Sequence, residues 1–153
     1  MLKFVVLADI HLVPEGKLSH GLDTNERLQQ AVAYVNDTHD DAAFVIFAGD
    51  LADHGEPEAY ARFKTTIAPL IPPTYLTLGN HDHRPTFLDT FEGMAHPDTG
   101  CIDHVIDAEG HRIIVLDSSD PALGGAGRLS QAQLDWLGAQ LSEVPDHPVV
   151  IVL

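Results

Sequence analysis

The sequence predicts a layered α/β fold, a mixed β-sheet flanked by helices. Three observations carry that expectation. Apolar runs with β-branched and aromatic residues recur at residues 4–8, 43–48 and 74–78, each the length of a strand covered on both faces. Helical patterns alternate with them, the order of parallel strand–helix–strand units. Each run then ends in a small polar cluster: Asp9-Ile10-His11, Gly49-Asp50 and Gly79-Asn80-His81-Asp82-His83.

The first strand leads into a polar loop containing Pro14 and Gly16. Asp23 precedes the first helix, with Glu26 at capping-box spacing. Leu28, Ala31, Val32 and Val35 fall at i, i+3, i+4 and i+7 on one apolar face. The second strand stops at Gly49. Pro57 suits the first turn of the second helix, where Tyr60, Phe63 and Ile67 share a face, and Pro69, Pro72 and Pro73 close it. The third strand stops at Gly79, and a short helix is expected over 85–92. Residues 101–106 and 112–116 read as strands joined by a turn at Ala108-Glu109-Gly110. A glycine-rich connection, Gly124-Gly125-Ala126-Gly127, precedes the last helix. Ser130 and Gln133 open that helix as a capping box, with Leu129 and Leu134 as a hydrophobic staple. Leu134, Leu137 and Leu141 are expected on its buried side. Residues 149–153 form a last strand.

The chain therefore reads as one domain over residues 1–153, without internal repeats. It stops at the end of a buried strand, where open α/β sheets carry their ligand-contacting loops. The domain is accordingly expected to be incomplete at its C-terminus. An apolar strand left uncovered there favours self-association, so a homo-oligomer is one expected state.

Composition narrows the function. The 153 residues hold 23 Asp plus Glu against 8 Lys plus Arg, a net charge of −15. That balance argues against a sequence-independent grip on nucleic acid and against an anionic membrane surface. A phosphate ester would be repelled unless a bound cation reversed the field locally. The one cysteine, Cys101, permits no intrachain disulfide. The first apolar run is too short to span a bilayer and lacks a signal-peptide cleavage site, so a cytoplasmic location is expected.

Parallel strands in one sheet would bring the three polar clusters along one edge. Carboxylates and imidazoles suit divalent ions such as Mn, Fe and Zn. Asp9 and His11, one residue apart, could both turn toward one ion. Asp50 could bridge two ions through its two oxygens, and Asn80 would add a neutral carbonyl oxygen. No thiolate takes part, which argues against a closed structural zinc site. Two ions about 3.5–4 Å apart would clamp a phosphoryl group and activate a water.

An aspartate at a strand end is more often a turn former or cap than a ligand. The co-occurrence of Asp9, His11, Asp50, Asn80 and His81 outweighs that plainer reading. Asp82 reads equally as a partner orienting a ligand or as a turn residue. His20 reads as a pocket-lining residue or, better, as a solvated loop histidine. His54 and His83 read as near-site surface residues. The glycine-rich loop lacks the Lys-Ser/Thr ending of a phosphate-binding loop, Cys101 reads as a small buried residue, and Trp136 as packing.

Asp9-x-His11, then Gly49-Asp50 with Asp53 and Gly55, then Gly79-Asn80-His81-Asp82 resemble the calcineurin-like metallophosphoesterase superfamily. Within it, the chain looks most like class III cyclic nucleotide phosphodiesterases and glycerophosphodiesterases. The resemblance extends through Leu116-Asp117-Ser118-Ser119 and the helix with Trp136. It implies a phosphoric diester hydrolase acting on a small phosphodiester, a cyclic nucleotide or a glycerophosphodiester, through a hydroxide activated by a dinuclear centre. It places Asp9, His11 and Asp50 at a first metal and Asp50 and Asn80 at a second, with His81 contacting the phosphate or protonating the leaving group. The two divalent ions would be Fe, Mn, Zn or Co. The family's later His-His-Pro-Pro-like and Gly-His-x-His segments are absent from this sequence, which fits truncation after the N-terminal half. The alternatives are a catalytically inactive metal-binding fragment, or a phosphomonoesterase or nuclease of the same superfamily.

Overall fold

The computed structural model describes residues 1–153. Its elements follow the expected order: β1 (Val5–Leu7), α1 (Thr24–Thr38), β2 (Val45–Ala48), α2 (Pro57–Ile67), β3 (Thr74–Thr77), α3 (Arg84–Thr90), β4 (His104–Ala108), β5 (His111–Val115), α4 (Gln131–Glu143) and β6 (Val149–Val152). The strands form two three-stranded sheets. The first has the order β1-β2-β3 and is parallel throughout. The second has the order β4-β5-β6, with β4 antiparallel and β6 parallel to β5. The mixing of strand directions is thus confined to the second sheet.

Strand β2 explains why the two sheets meet. Its side chains alternate between faces, and both faces are buried. Val45 and Phe47 pack with Leu28 and Val32 of α1 and Tyr60 and Phe63 of α2. Ile46, with Phe44, packs on Ile106, Ile113 and Val115 of the second sheet. Full burial of each such side chain contributes about 1.5–3 kcal/mol. The sheets therefore lie face to face, with α1 and α2 on the outer side of the first. No helix is long and apolar enough to cross a membrane.

The local signals act as their chemistry requires. The Asp23 carboxylate accepts the N–H groups of Asn25 and Glu26 at the start of α1. Ser130 and Gln133 make both bonds of a capping box. The β4–β5 hairpin turns through Glu109 and Gly110 at φ 47° and 76°, the doubly left-handed turn that suits strand twist. Residues 101–103 lie before β4, which runs on to Ala108.

Helix α4 departs from expectation. Leu134 and Leu141 are 46% and 37% exposed, and the buried residue of the helix is Gln133. Polar docking sets this rotation. Gln133 Nε2 donates to Asp103 Oδ1 at 3.1 Å and to the Asp117 carbonyl at 2.8 Å. Arg112, on β5, donates to the Gln140 carbonyl and to Glu143. The inward line is 133, 136, 137 and 140, about one residue around the helix from the leucine stripe.

Candidate metal centre

The three segments leaving β1, β2 and β3 emerge at the carboxyl edge of the first sheet. Pairing of the first two continues past the strands: Asp9 N–H donates to Gly49 O, His11 N–H to Asp50 O at 2.8 Å, and Leu12 N–H to Leu51 O. Asp53 N–H returns the contact to Leu12 O at 2.9 Å. Residues 9–12 are thereby laid alongside residues 49–53.

This path bends the backbone. Asp9, His11 and Asp50 have φ of 56°, 48° and 50°. Left-handed backbone costs a non-glycine residue on the order of 1–3 kcal/mol, and such strain clusters at functional sites. The third segment is pressed against the second. A Cβ on Gly79 would lie 2.2 Å from Asp50 Oδ1 and 2.5 Å from Asp50 N, so no side chain fits there.

Asp82 holds this arrangement from behind. Its Oδ2 accepts the N–H groups of Leu51 and Gly79, and its Oδ1 accepts Ala52 N–H and the Tyr60 hydroxyl, all at 3.0 Å. One carboxylate thus fastens the second loop to the third. Burial pushes the Asp82 carboxyl up from the ordinary range, opposed by those backbone donors and by Tyr60. Burial, with Asp82 beside it, pushes the Tyr60 phenol up as well, so it stays a donor.

In front of Asp82, the side chains converge. His11 Nε2 lies 3.9 Å from Asp9 Oδ1 and 3.8 Å from Asp50 Oδ2. His11 Nδ1 lies 3.1 Å from Asp53 Oδ1. A carboxylate only accepts, so Nδ1 carries the proton and Nε2 keeps its lone pair. His81 follows the same logic. Its Nδ1 is 2.8 Å from the Asp53 carbonyl, leaving Nε2 free, and its backbone N–H donates to Asp50 Oδ1 at 2.9 Å. The two imidazole rings meet edge to face at 4.6 Å. One ligand atom each from His11, Asp50 and His81 lies within 4.8 Å of the others. Imidazole nitrogens with assigned lone pairs beside carboxylate oxygens form a donor set that fits a divalent transition ion. Asp9 adds an exposed carboxylate at the rim.

Asn80 borders a cavity of about 130 Å³ beside the cluster, which it lines with Gly79, Ser118, Ser119, Gly124 and Gly125. A Cβ on Gly125 would sit 3.8 Å from Asn80 Oδ1, so the glycine-rich connection forms the facing wall. His20 stands exposed in the Ser19–Leu22 turn at φ 49°, outside the cluster. His83 stands at the N-cap position of α3, where its Nδ1 meets Thr86 Oγ1 rather than a backbone N–H.

Sequence reasoning quoted Asp53, which contacts both histidines, only as part of the motif and gave it no role, and it passed over Arg84. The signal for Asp53 was its place three residues after Asp50 in a loop that must fold back on itself. Arg84 has no comparable local mark. Its Nε donates to Asp117 Oδ2 at 2.8 Å, and its Nη2 to Ser119 O and Oγ at 3.0 Å. It thereby ties the segment carrying Asn80 and His81 to the end of β5. The Asp117 carboxylate raises the Arg84 pKa above its ordinary value.

Comparison with known proteins supports the same reading. The family model described as calcineurin-like phosphoesterase matches residues 2–152. A probable cyclic nucleotide phosphodiesterase of Rhodopseudomonas palustris is 41% identical over 152 residues, covering 98% of this chain and 56% of that protein. A probable glycerophosphodiester phosphodiesterase of Arcobacter nitrofigilis is 33% identical, covering 97% and 55%. A cAMP/cGMP dual specificity phosphodiesterase of Mycobacterium tuberculosis is 32% identical, covering 94% and 46%. The chain spans about half the length of these curated relatives. A dimetal phosphatase from Danio rerio shares the fold, with a TM-score of 0.71 at 16% identity over 99% of this chain and 68% of that one.

Proposed function

Because the chain belongs to the calcineurin-like phosphoesterase family, we propose that it serves a metal-dependent phosphodiesterase that hydrolyses a small phosphodiester. The observation that carries this reading is the convergence of His11, Asp50 and His81 within 4.8 Å at the carboxyl edge of a parallel sheet. Asp9, His11 and Asp50 would hold one divalent ion, and Asp50 and Asn80 would contribute to a second. Bound ions supply Lewis acidity, polarising the phosphoryl group and neutralising the charge that develops on it.

The chain's own residues do the rest. Asp53 fixes the His11 proton on Nδ1, so that Nε2 faces Asp9 and Asp50. The Asp53 carbonyl holds His81 through Nδ1, leaving Nε2 toward the open side. As an imidazolium, His81 would give its Nε2 proton to the departing alkoxide as water adds to phosphorus and the phosphorus–oxygen bond breaks, and the proton lost by the water would restore it. Asp82 and Tyr60 keep the loops at fixed spacing, since small misplacements of reacting groups are costly in rate.

A cyclic nucleotide or a glycerophosphodiester is the proposed substrate class. The names of the relatives support it, and so does the net charge of −15, which suits a small ligand drawn in by local cations better than a polyanion. The test is a panel of model diesters and monoesters with Mn, Zn, Fe or Co added. Diesters are expected to turn over faster, with Asp50→Ala and His81→Ala inactive. Faster monoester turnover overturns the substrate class. Metal retention without any turnover supports the second reading, a metal-binding chain that is not itself active.

A further inference from the structure

Next to the cluster just described lies a second one, Asp53, His54 and His81, again with one ligand atom of each within 4.8 Å of the others. We propose that these three residues form a separate, outward-facing site for a borderline divalent cation such as zinc, and that filling it engages His81.

The division of Asp53 is the basis. Its Oδ1 takes the His11 contact at 3.1 Å, whereas its Oδ2 lies 3.5 Å from His54 Nε2. One carboxylate therefore serves two groups, with an oxygen for each. His54 is 73% exposed and Asp53 is nearly buried, so the site opens to solvent on one side and rests on fixed backbone on the other. That backbone is held at several points: Asp53 N–H donates to Leu12 O, and His54 N–H to Glu56 Oε2 at 3.2 Å. A Cβ on Gly55 would lie 2.6 Å from His83 Cβ, so the turn after His54 lies directly on the segment carrying His81.

A solvent-facing histidine–aspartate pair alone contributes little. A third ligand atom from a separate loop is what turns the pair into a chelate. Two imidazoles and one carboxylate with open positions suit zinc, whereas magnesium and calcium favour oxygen ligands throughout. The net charge of −15 raises the local cation concentration. His81 belongs to both clusters. Under the function proposed above, on which this consequence rests, a cation in the outer site holds back the residue that protonates the leaving group.

The test separates the two sites without measuring turnover. Zinc is titrated into the wild type, Asp50→Ala, and the Asp50→Ala/His54→Ala double variant against a chromophoric chelator. The His54 and His81 ring protons are followed by NMR. Asp50→Ala is expected to retain one zinc equivalent whose addition moves both sets of ring signals, and the double variant to lose it. His54 is exposed, so its substitution leaves the fold in place. Equal zinc binding by Asp50→Ala and the double variant overturns the outer site, as does a bound zinc that leaves the His81 signals unmoved. Equal binding by the wild type and Asp50→Ala counts against the inner centre alone, and leaves loss of zinc on adding His54→Ala as support for the outer one.

Discussion

His11 Nδ1 lies 3.1 Å from Asp53 Oδ1, and this contact turns the opposite ring nitrogen toward Asp9 and Asp50. A ligand imidazole needs its second nitrogen anchored to hold ring and tautomer. Asp53 does that for His11 with its side chain, and its backbone carbonyl orients the His81 ring in the same way. Asp53→Asn is expected to weaken metal affinity by about 10–100-fold, the usual range for such partners. Chelator competition in a folded variant measures it; unchanged affinity would mean that His11 does not depend on this contact.

Gly79→Ala probes the close approach of the second and third loops. The new Cβ would fall 2.2 Å from Asp50 Oδ1, a distance that atoms cannot share. One loop must move. The expected destabilisation is about 1–3 kcal/mol, the range for overpacking, together with weaker metal binding. Urea unfolding and chelator competition on the same sample check both. A stable variant with normal metal affinity would show that the loops separate freely.

Asp82→Asn keeps the shape and removes acceptor capacity. Three backbone N–H groups and one hydroxyl now share the carboxylate. An amide presents its own N–H₂ to two of them. Each buried donor left without a partner costs about 1–3 kcal/mol, so a total loss on the order of 3 kcal/mol is expected. The urea midpoint reports it, and a midpoint equal to the wild type contradicts the role given to Asp82.

His104 supplies a pH signature remote from the metal cluster. Burial lowers its pKa below the ordinary histidine value of 6.5, although its Nε2 donates to Leu76 O at 2.8 Å. The folded state therefore takes up a proton less readily than the unfolded chain. Stability is fully present above pH 6.5 and is lost as pH falls from there through the lowered folded value. His104→Gln is expected to remove that slope, as urea unfolding between pH 5 and 8 in both proteins would reveal. Parallel pH profiles for the two would reject it.

Much of the fold was legible because its signals are local. The runs at 4–8, 43–48 and 74–78 became β1, β2 and β3, and the leucine–valine and aromatic stripes of α1 and α2 are buried as read. The stripe of α4 misled, because polar bonds from Gln133 and Arg112 outweighed the apolar period. Of the expected site residues, His11, Asp50 and His81 converge, with Asp9 at the rim. Asn80 borders a neighbouring cavity, Asp82 braces the loops, and His20 stands apart.

The sequence by itself determined the strand–helix alternation, the caps, and which strand ends carry carboxylates and imidazoles, since these depend on residues a few positions apart. Only the tertiary structure decided that Asp53 would face both His11 and His81, that Asp82 would fasten two loops, and that Arg84 would reach Asp117. Those contacts join residues about thirty to forty positions apart. Their geometry is set by sheet register, left-handed backbone and loop-to-loop packing, which no local pattern encodes.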